Sequence, residues 1–229
     1  MWTVRVFTLY PELFPGPLGS GLYKKALEKK LWSLEVVNIR DYALDKHKTV
    51  DDTPFGGGSG MLMRADVLAN SLDKNINNKN EPTIYLSPKG KQFDQTYAKK
   101  MLKKNINIIC GHFEGIDQRL LETRKIEEVS IGDFILSGGE IGALVLIDTI
   151  VRLIPGVVGN SNSLTEESFE KNLLEYPQYT KPQKWEKKEV PSVLLTGDHA
   201  KIKDWRLSQS KDITRRRRPD LWKKYKKDK

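Results

Sequence analysis

Ile106 to Glu140, INIICGHFEGIDQRLLETRKIEEVSIGDFILSGGE, is the stretch that decides the fold of this chain. It opens with an apolar run, 106–110, which is typical of a buried strand and breaks at Gly111. A second apolar run, 129–136, predicts another strand, which ends at the small residues 137–139. A helical pattern lies between the two runs. The stretch therefore indicates two buried strands, each followed by a small-residue loop.

The same alternation of strands and helices continues on both sides. Further strands are predicted at 4–9, 34–39 and 83–86, and helices at 18–30, 64–73, 92–103, 116–123 and 141–154. The last of these helices is apolar nearly all round, which is explained either by a core helix or by a helix at a large homodimer interface. Alternation through residue 155 indicates an α/β domain with a parallel sheet.

Three of the predicted strands, at 83–86, 106–110 and 129–136, end in loops rich in small residues. Open α/β sheets bind ligands at the carboxyl ends of their strands, so one shared pocket is expected there. Three ordinary turns between strand and helix would give the same spacing, and this alternative stays open. Neither GxGxxG nor GxxxxGK followed by Ser or Thr occurs, so a nucleoside ligand would not be held by one of those loops.

The segment 40–63 is polar and culminates in Phe55-Gly56-Gly57-Gly58-Ser59-Gly60. It is too rich in glycine to be a regular element and too long to be a simple turn. Loops of this length are usually functional or disordered. The segment is thus either a flexible connector or a mobile loop that closes over a ligand.

The positive charge of the chain is concentrated at its end. Residues 181–229 contain 17 Lys or Arg against 7 Asp or Glu, whereas residues 1–180 contain 22 against 23. Such asymmetry favours a polyanionic partner, although a solubilising tail would show it too. Trp205, Trp222 and Tyr225 lie among the basic residues and favour nucleic acid, because aromatic faces can stack on bases.

Other classes of protein are disfavoured by the composition. The single cysteine, Cys110, excludes an internal disulfide and favours a reducing compartment, so a cytoplasmic location is expected. One cysteine and three dispersed histidines cannot form a usual structural zinc site, and no metal ligands are predicted. The apolar region 141–158 carries Asp148, Arg152 and Pro155, which makes a membrane span improbable. The N-terminus lacks a signal-peptide cleavage pattern.

Several long motifs in order carry a resemblance. They are DDTPFGGGSGM (51–61), YLSP (85–88), CGHFEGID (110–117), SIGDFILSGGE (130–140), RLIPGV (152–157) and YTKP (179–182). This set closely resembles the bacterial tRNA (guanine-N1)-methyltransferases, and the match extends to about residue 219.

The resemblance implies a SPOUT-type fold, in which a parallel α/β sheet domain forms a deep trefoil knot and a small, mainly helical C-terminal domain follows. Expected boundaries are 1–160 for the knotted domain, 161–176 for an interdomain linker and 177–229 for a basic tRNA-binding domain. The resemblance also implies a homodimer and S-adenosylmethionine bound within the knot. By position, the cofactor pocket is expected to comprise Leu86, Ser87, Pro88, Gly111, Glu114, Gly115, Ile131, Gly132, Asp133, Phe134, Ile135, Leu136, Gly138 and Gly139.

The implied reaction methylates N1 of guanosine 37 in tRNA. The matching residues assign the role of cation near O6 to Arg152 and that of general base to Glu167, where the family usually has aspartate. Glu166 is a competing base, and both carboxylates could instead be a pair at a helix N-terminus after Thr165. The family further suggests a dependence on magnesium. An active site shared between subunits is also implied.

Smaller features fit the same picture. His112 is expected to be structural or to contact tRNA, and residues 56–60 to form a lid around the flipped base. Two other functions remain open at this point. One is a knotted methyltransferase acting on a different RNA site, and the other is an RNA-binding protein without catalysis.

Overall fold

The computed structural model describes residues 1–159 and 166–228. The chain divides into two compact units, Met1–Gly159 and Asn160–Lys229, which are described separately. The predicted linker segment 161–176 thus lies partly outside the described residues.

A five-stranded parallel sheet forms the centre of the first unit, in the order β2-β1-β6-β5-β7. Its strands are β1 (Trp2–Thr8), β2 (Trp32–Asn38), β5 (Thr83–Gln92), β6 (Ile106–Ile109) and β7 (Glu127–Ser130). Two short strands, β3 (Asp51–Asp52) and β4 (Leu62–Met63), pair separately at the ends of the glycine-rich segment. The parallel sheet predicted from strand and helix alternation is confirmed. Every residue of β6 is buried, as expected for a parallel strand covered on both faces.

Helices cover both faces of this sheet: α1 (Gly21–Glu28), α2 (Ala65–Asn75), α3 (Gln95–Met101), α4 (Gln118–Arg124) and α5 (Glu140–Val151). Successive strand residues point to opposite faces, and β1 divides its side chains accordingly. Val4 and Val6 pack with Leu146 of α5 in one core, whereas Phe7 packs with Leu68 of α2 in the other. Helices therefore sandwich the sheet, and its loops remain at the strand ends.

The strand predicted at 129–136 is shorter in the structure, where β7 ends at Ser130. The Ser130 hydroxyl donates to the carbonyl of Gly132 at 3.1 Å, and the amide of Phe134 donates to the same carbonyl at 3.0 Å. Gly132 has φ +150°, which an L side chain rarely adopts. These contacts turn the chain away from the sheet, so the apolar residues that follow belong to a loop.

The predicted end of the strand at Ser87-Pro88 corresponds to a break inside β5. Leu86 pairs with Val129, and pairing then resumes at Lys91, also with Val129. Four residues therefore leave the ladder between two paired segments of the same strand. This excursion places Ser87 and Pro88 at the edge of the sheet where the neighbouring loops begin.

The second unit contains helices α6 (His199–Arg217) and α7 (Pro219–Lys227) and a small hairpin of β8 (Lys184–Trp185) and β9 (Lys188–Glu189). Helix α6 runs to Arg217, because arginine favours helix and Pro219 is the first residue unable to extend it. The described part of 161–176 has a 3₁₀ turn at Glu170–Asn172. Asp198 caps α6 by accepting from the amides of Ala200 and Lys201.

Candidate functional site: a glycine-lined cavity at the strand ends

A cavity of about 300 Å³ opens at the carboxyl ends of β5, β6 and β7. Its walls are the excursion within β5, the loop after β6 and the loop after β7, which are the three loops singled out from the sequence. The lining residues are 85–88, 111–115, 129–132, 134–139 and 142. Every residue expected in the pocket lines the cavity except Asp133. The three loops therefore converge on one cavity.

Some lining residues were not expected from the sequence. Tyr85, His112 and Phe113 are among them, and they lie next to residues that were expected. His112 and Phe113 stand inside the same motif as Glu114, so their position in the loop was the available signal. Gly142 lines the cavity from the first turn of α5, where its lack of a side chain leaves space beside Leu86 and Ile131.

Two glycines keep the walls of the cavity close together. A β carbon on Gly139 would lie 2.6 Å from Cα of Cys110 and 2.9 Å from the nitrogen of Gly111. The amide of Gly139 donates to the carbonyl of Gly111 at 3.0 Å, which joins the loop after β7 to the loop after β6. A β carbon on Gly111 would lie 2.5 Å from Cε2 of Tyr85. Both positions therefore require glycine for close backbone approach.

The glycine-rich segment is attached to the cavity at its base. The amide of Glu114 donates to the carbonyl of Met61, and the amide of Met63 donates to the carbonyl of Gly115, both at 2.9 Å. Within the segment, Phe55 is 99% exposed and glycines 56, 57, 58 and 60 have positive φ. A β carbon on Gly60 would lie 2.5 Å from Oε1 of Glu114. The segment is thus anchored beside a cavity residue and exposed at its tip.

The predicted cation Arg152 ends helix α5 and does not line the cavity. It is half-buried and belongs to a group with Tyr23 and Asp148. Burial, followed by the hydrogen bond and charge of Asp148, raises the pKa of Tyr23 to about 12, and the positive charge of Arg152 acts in the opposite direction. Asp148 is therefore an acidic neighbour one helical turn before the arginine.

The two candidate bases lie in the second unit and have different surroundings. Glu166 is exposed, accepts a hydrogen bond of 2.9 Å from the Tyr176 hydroxyl and lies 3.8 Å from Nη1 of Arg206. Burial, then the hydrogen bond to Glu166, raises the pKa of Tyr176. Glu167 is half-buried, and its carbonyl accepts from the amide of Glu170. The carboxylate of Glu166 is therefore engaged by an aromatic hydroxyl and a guanidinium of its own unit.

Helices α6 and α7 combine basic and aromatic side chains. Arg215, Arg216 and Arg217 are all exposed in the last turn of α6. In α7 the rings of Trp222 and Tyr225 stack with centroids 5.4 Å apart, and Lys226 lies over the indole at 5.6 Å. Cationic and aromatic groups at the same surface suit a polyanion whose bases can stack.

Over residues 1–159 and 166–228, no helix combines the length and the apolar character that crossing a bilayer requires. In the same part of the chain, no three His, Cys, Asp or Glu side chains are grouped so that they could hold a metal ion.

Comparison with known proteins gives a consistent result. Residues 1–224 match the model of the family described as tRNA (Guanine-1)-methyltransferase TrmD. The chain is 67% identical over 229 residues to a tRNA (guanine-N(1)-)-methyltransferase of Pelagibacter ubique, with all of both chains covered. Proteins of the same name from Bartonella tribocorum and Wolbachia pipientis are 56% and 52% identical, over 98% and 96% of this chain and 96% and 95% of their own lengths.

Proposed function

Because the chain belongs to the tRNA (guanine-1)-methyltransferase family, we propose that it takes a methyl group from S-adenosylmethionine and transfers it to N1 of guanosine 37. The resemblance carried by the sequence motifs is confirmed, as is the expectation of an enzyme that methylates guanine N1 in tRNA. The alternative of an RNA-binding protein without catalysis is therefore excluded. The donor and the position of the guanosine are the parts that need a direct test.

The observation that carries the proposal is the cavity at the ends of β5, β6 and β7. Its volume is at the lower end of the range that small-molecule sites occupy. Apolar side chains such as Leu86 and Leu136 suit a purine, and the bare backbone at Gly111 and Gly139 suits a ligand read by amides and carbonyls. The residues present thus fit S-adenosylmethionine, whose sulfonium supplies an electrophilic methyl group when bound.

Guanine N1 carries a proton and is a poor nucleophile until that proton is removed. A carboxylate within hydrogen-bond reach can accept it, and Glu167 has this role in our proposal. Negative charge then develops at O6 of the base, where the guanidinium of Arg152 stabilises it. Asp148 lies one helical turn before Arg152, and both side chains act on Tyr23.

Glu167 is proposed as the base because it stands at the position that matches the family's aspartate, and Glu166 remains its competitor. Tyr176 and Arg206 engage the carboxylate of Glu166. The helix-terminus alternative falls on residues beside Thr165, which lies outside the described residues.

A second copy of the chain is part of the proposal, with the active site shared between the two subunits. The support is an exposed apolar surface on α5 and the loop before it: Ile141 is 58% exposed, Val145 46% and Ile135 80%. Large apolar side chains clustered on a surface mark interaction sites. The trefoil knot is likewise proposed from the family.

The C-terminal residues 177–229 are proposed to bind tRNA, with 161–176 as the linker that joins them to the methyltransferase domain of residues 1–160. The basic and aromatic surface of α6 and α7 supports this role. The exposed tip of the glycine-rich segment is proposed to close around the flipped guanine. Since tRNA and its modification belong to the cytoplasm, we place the enzyme there.

Methyl transfer from labelled S-adenosylmethionine tests the proposal directly. Transcripts with guanosine at position 37 should be labelled, and matched transcripts with adenosine there should not. Equal labelling of both would point to a different acceptor, such as another site in the RNA. The assay is run with magnesium and with a chelator, since a fall on chelation would reveal the metal dependence that the family suggests.

Mixed dimers test the shared active site. Glu167→Gln lacks the base, whereas Gly139→Val blocks the cavity, and each homodimer should be inactive. A mixed dimer regains one complete site if the cavity of one subunit works with Glu167 of the other. No recovery on mixing would contradict the shared arrangement.

A further inference from the structure

A buried carboxylate lies directly behind the cavity and does not belong to its lining. Glu140, the first residue of α5, is 3% exposed. Its Oε1 accepts a hydrogen bond of 2.6 Å from the hydroxyl of Thr8. Nε2 of His112 lies 2.9 Å from Oε1 and 2.8 Å from Oε2. The contact therefore joins the end of β1, the loop after β6 and the start of α5.

The burial of Glu140 requires compensation, because an isolated carboxylate away from water is strongly unfavourable. Three groups supply it: the hydroxyl of Thr8, the imidazole of His112 and the amino end of α5, which favours negative charge. A carboxylate has only acceptor oxygens, so the proton of the contact is assigned to Nε2 of His112. The carboxylate thus holds the imidazole through both of its oxygens.

His112 itself lines the cavity, so the carboxylate reaches the site through it. The ring of His112 is also held from the other side, with its centroid 5.0 Å from that of Tyr10. The amide of Tyr10 donates to the Thr8 hydroxyl at 2.9 Å, which orients the hydroxyl toward Glu140. The imidazole is therefore fixed by two segments that are distant from it in the sequence.

The same contact leaves no space in the glycine turn before α5. A β carbon on Gly138 would lie 2.7 Å from Nε2 of His112 and 2.8 Å from Oε2 of Glu140. Gly138 and His112 both line the cavity, on opposite loops. The position of the His112–Glu140 pair thus sets how closely these two loops approach each other.

We propose that Glu140 is a positioning residue for the methyl-donor site: acting through His112, and with Thr8 as its second donor, it fixes the loop at 111–115 against the turn at 137–139. The inference rests on the proposed function, because it names what the carboxylate positions. Glu140 does not touch the ligand. It determines the shape of the cavity wall that touches the ligand.

Glu140→Gln is the principal test, because it keeps the volume and an acceptor for Thr8 while removing the charge that faces His112. The expected result is an approximately ten-fold rise in the Kd and the KM for S-adenosylmethionine, equivalent to ~1.4 kcal/mol. The KM for tRNA should stay within about two-fold, since the basic helices are untouched. Glu28→Gln, an exposed carboxylate at the end of α1, is the matched control and should change neither value.

A role confined to folding predicts a different pattern. Glu140→Gln would then lower the melting temperature and the fraction of active enzyme, with both KM values unchanged, and this outcome overturns the proposal. Thr8→Val gives an independent measurement if the first variant folds poorly. It leaves the His112 contact in place and should weaken binding of S-adenosylmethionine less than Glu140→Gln does, whereas an unchanged Kd would count against the network.

The double variant tests the route through His112. If Glu140 acts through the imidazole, adding Glu140→Gln to His112→Ala raises the Kd for S-adenosylmethionine by less than about two-fold. In the otherwise unaltered protein the same substitution raises that Kd about ten-fold. Additive effects would overturn this route. Failure of the proposed function would look different, because the unaltered protein itself would then fail to bind S-adenosylmethionine.

Discussion

Gly139→Ala is the substitution whose consequence can be worked out most fully from the structure. The new β carbon would lie 2.6 Å from Cα of Cys110, 2.9 Å from the nitrogen of Gly111 and 3.1 Å from the carbonyl carbon of Cys110. All three are backbone atoms at the end of the fully buried strand β6, so no side chain can rotate away. Gly139 has φ −79° and ψ −14°, which alanine adopts freely. The conflict is therefore steric and does not arise from backbone strain.

The expected cost follows from two opposing contributions. Forcing extra volume into a well-packed region costs ~1–3 kcal/mol. Replacing glycine by alanine restricts the unfolded chain and recovers ~0.4–1 kcal/mol. The net loss is about 1–2 kcal/mol, and for a domain of this size each kcal/mol corresponds to ~2–4 °C in melting temperature. A fall of roughly 2–8 °C is expected, together with a Kd for S-adenosylmethionine raised at least ten-fold, because the two cavity walls are pushed apart.

Thermal unfolding and calorimetric titration with S-adenosylmethionine measure both effects. Gly159→Ala is the matched control, since a β carbon there meets nothing within 4 Å and no positive φ is involved. That variant should melt at the same temperature as the unaltered protein or slightly higher, with the same affinity. If Gly139→Ala also left the melting temperature and the Kd for S-adenosylmethionine unchanged, the close approach of the two loops would not determine the site. That result would refute the reasoning from these distances.

Three further predictions address the base, the basic surface and the half-buried phenol of Tyr23. Glu167→Gln should lower kcat by at least ~100-fold with an unchanged Kd for S-adenosylmethionine, while Glu166→Gln retains most activity; the reverse order would transfer the role of base. The double variant Arg215→Gln, Arg217→Gln should reduce the slope of log K for tRNA against log salt concentration by about 1.5. The same change at Lys24 and Lys25 of α1 is the control. A slope equal to that of the unaltered protein would exclude phosphate contacts at the two arginines. Burial and Asp148 raise the pKa of Tyr23 to about 12, above its unfolded value of ~10, so its contribution to stability is complete below ~pH 10 and is lost as the pH rises through about 12. Tyr23→Phe should remove one late phenolate from an alkaline absorbance titration and flatten the loss of stability in that window; an unchanged late amplitude would contradict the assignment.

The sheet was predictable because buried parallel strands leave an unambiguous apolar signal. The limit of β7 was not, since Ile131, Phe134, Ile135 and Leu136 extend the apolar run beyond the last paired residue, Ser130. Apolar character reports burial of some kind and does not distinguish a strand from a loop that faces a ligand or a partner. The turn at Gly132 was the available signal, because φ > 0 is incompatible with continued pairing.

The place of the cavity was predictable for a related reason, whereas its individual residues were assigned through the family resemblance. A parallel sheet brings the carboxyl ends of its strands to one edge, so short motifs after three strands converge without any knowledge of side-chain contacts. Contacts between distant segments could not be obtained in this way. Thr8 and Glu140 are separated by 132 positions, and nothing in the local sequence of either residue names the other. The one local indication was the carboxylate of Glu140 at the start of α5, the most apolar helix, because a buried carboxylate needs a hydrogen-bond partner.

These two kinds of information describe different properties of the site. The glycines determine how closely the backbone can approach, and they are visible in the sequence because glycine is the only residue that permits it. The Thr8–Glu140–His112 network determines which of the permitted arrangements the loops adopt, and it depends on tertiary packing. A cavity built from loops needs both, since loops are otherwise the most variable part of a fold. A substitution that spares every glycine and removes only the buried charge should therefore leave the sheet intact and still weaken binding of the methyl donor.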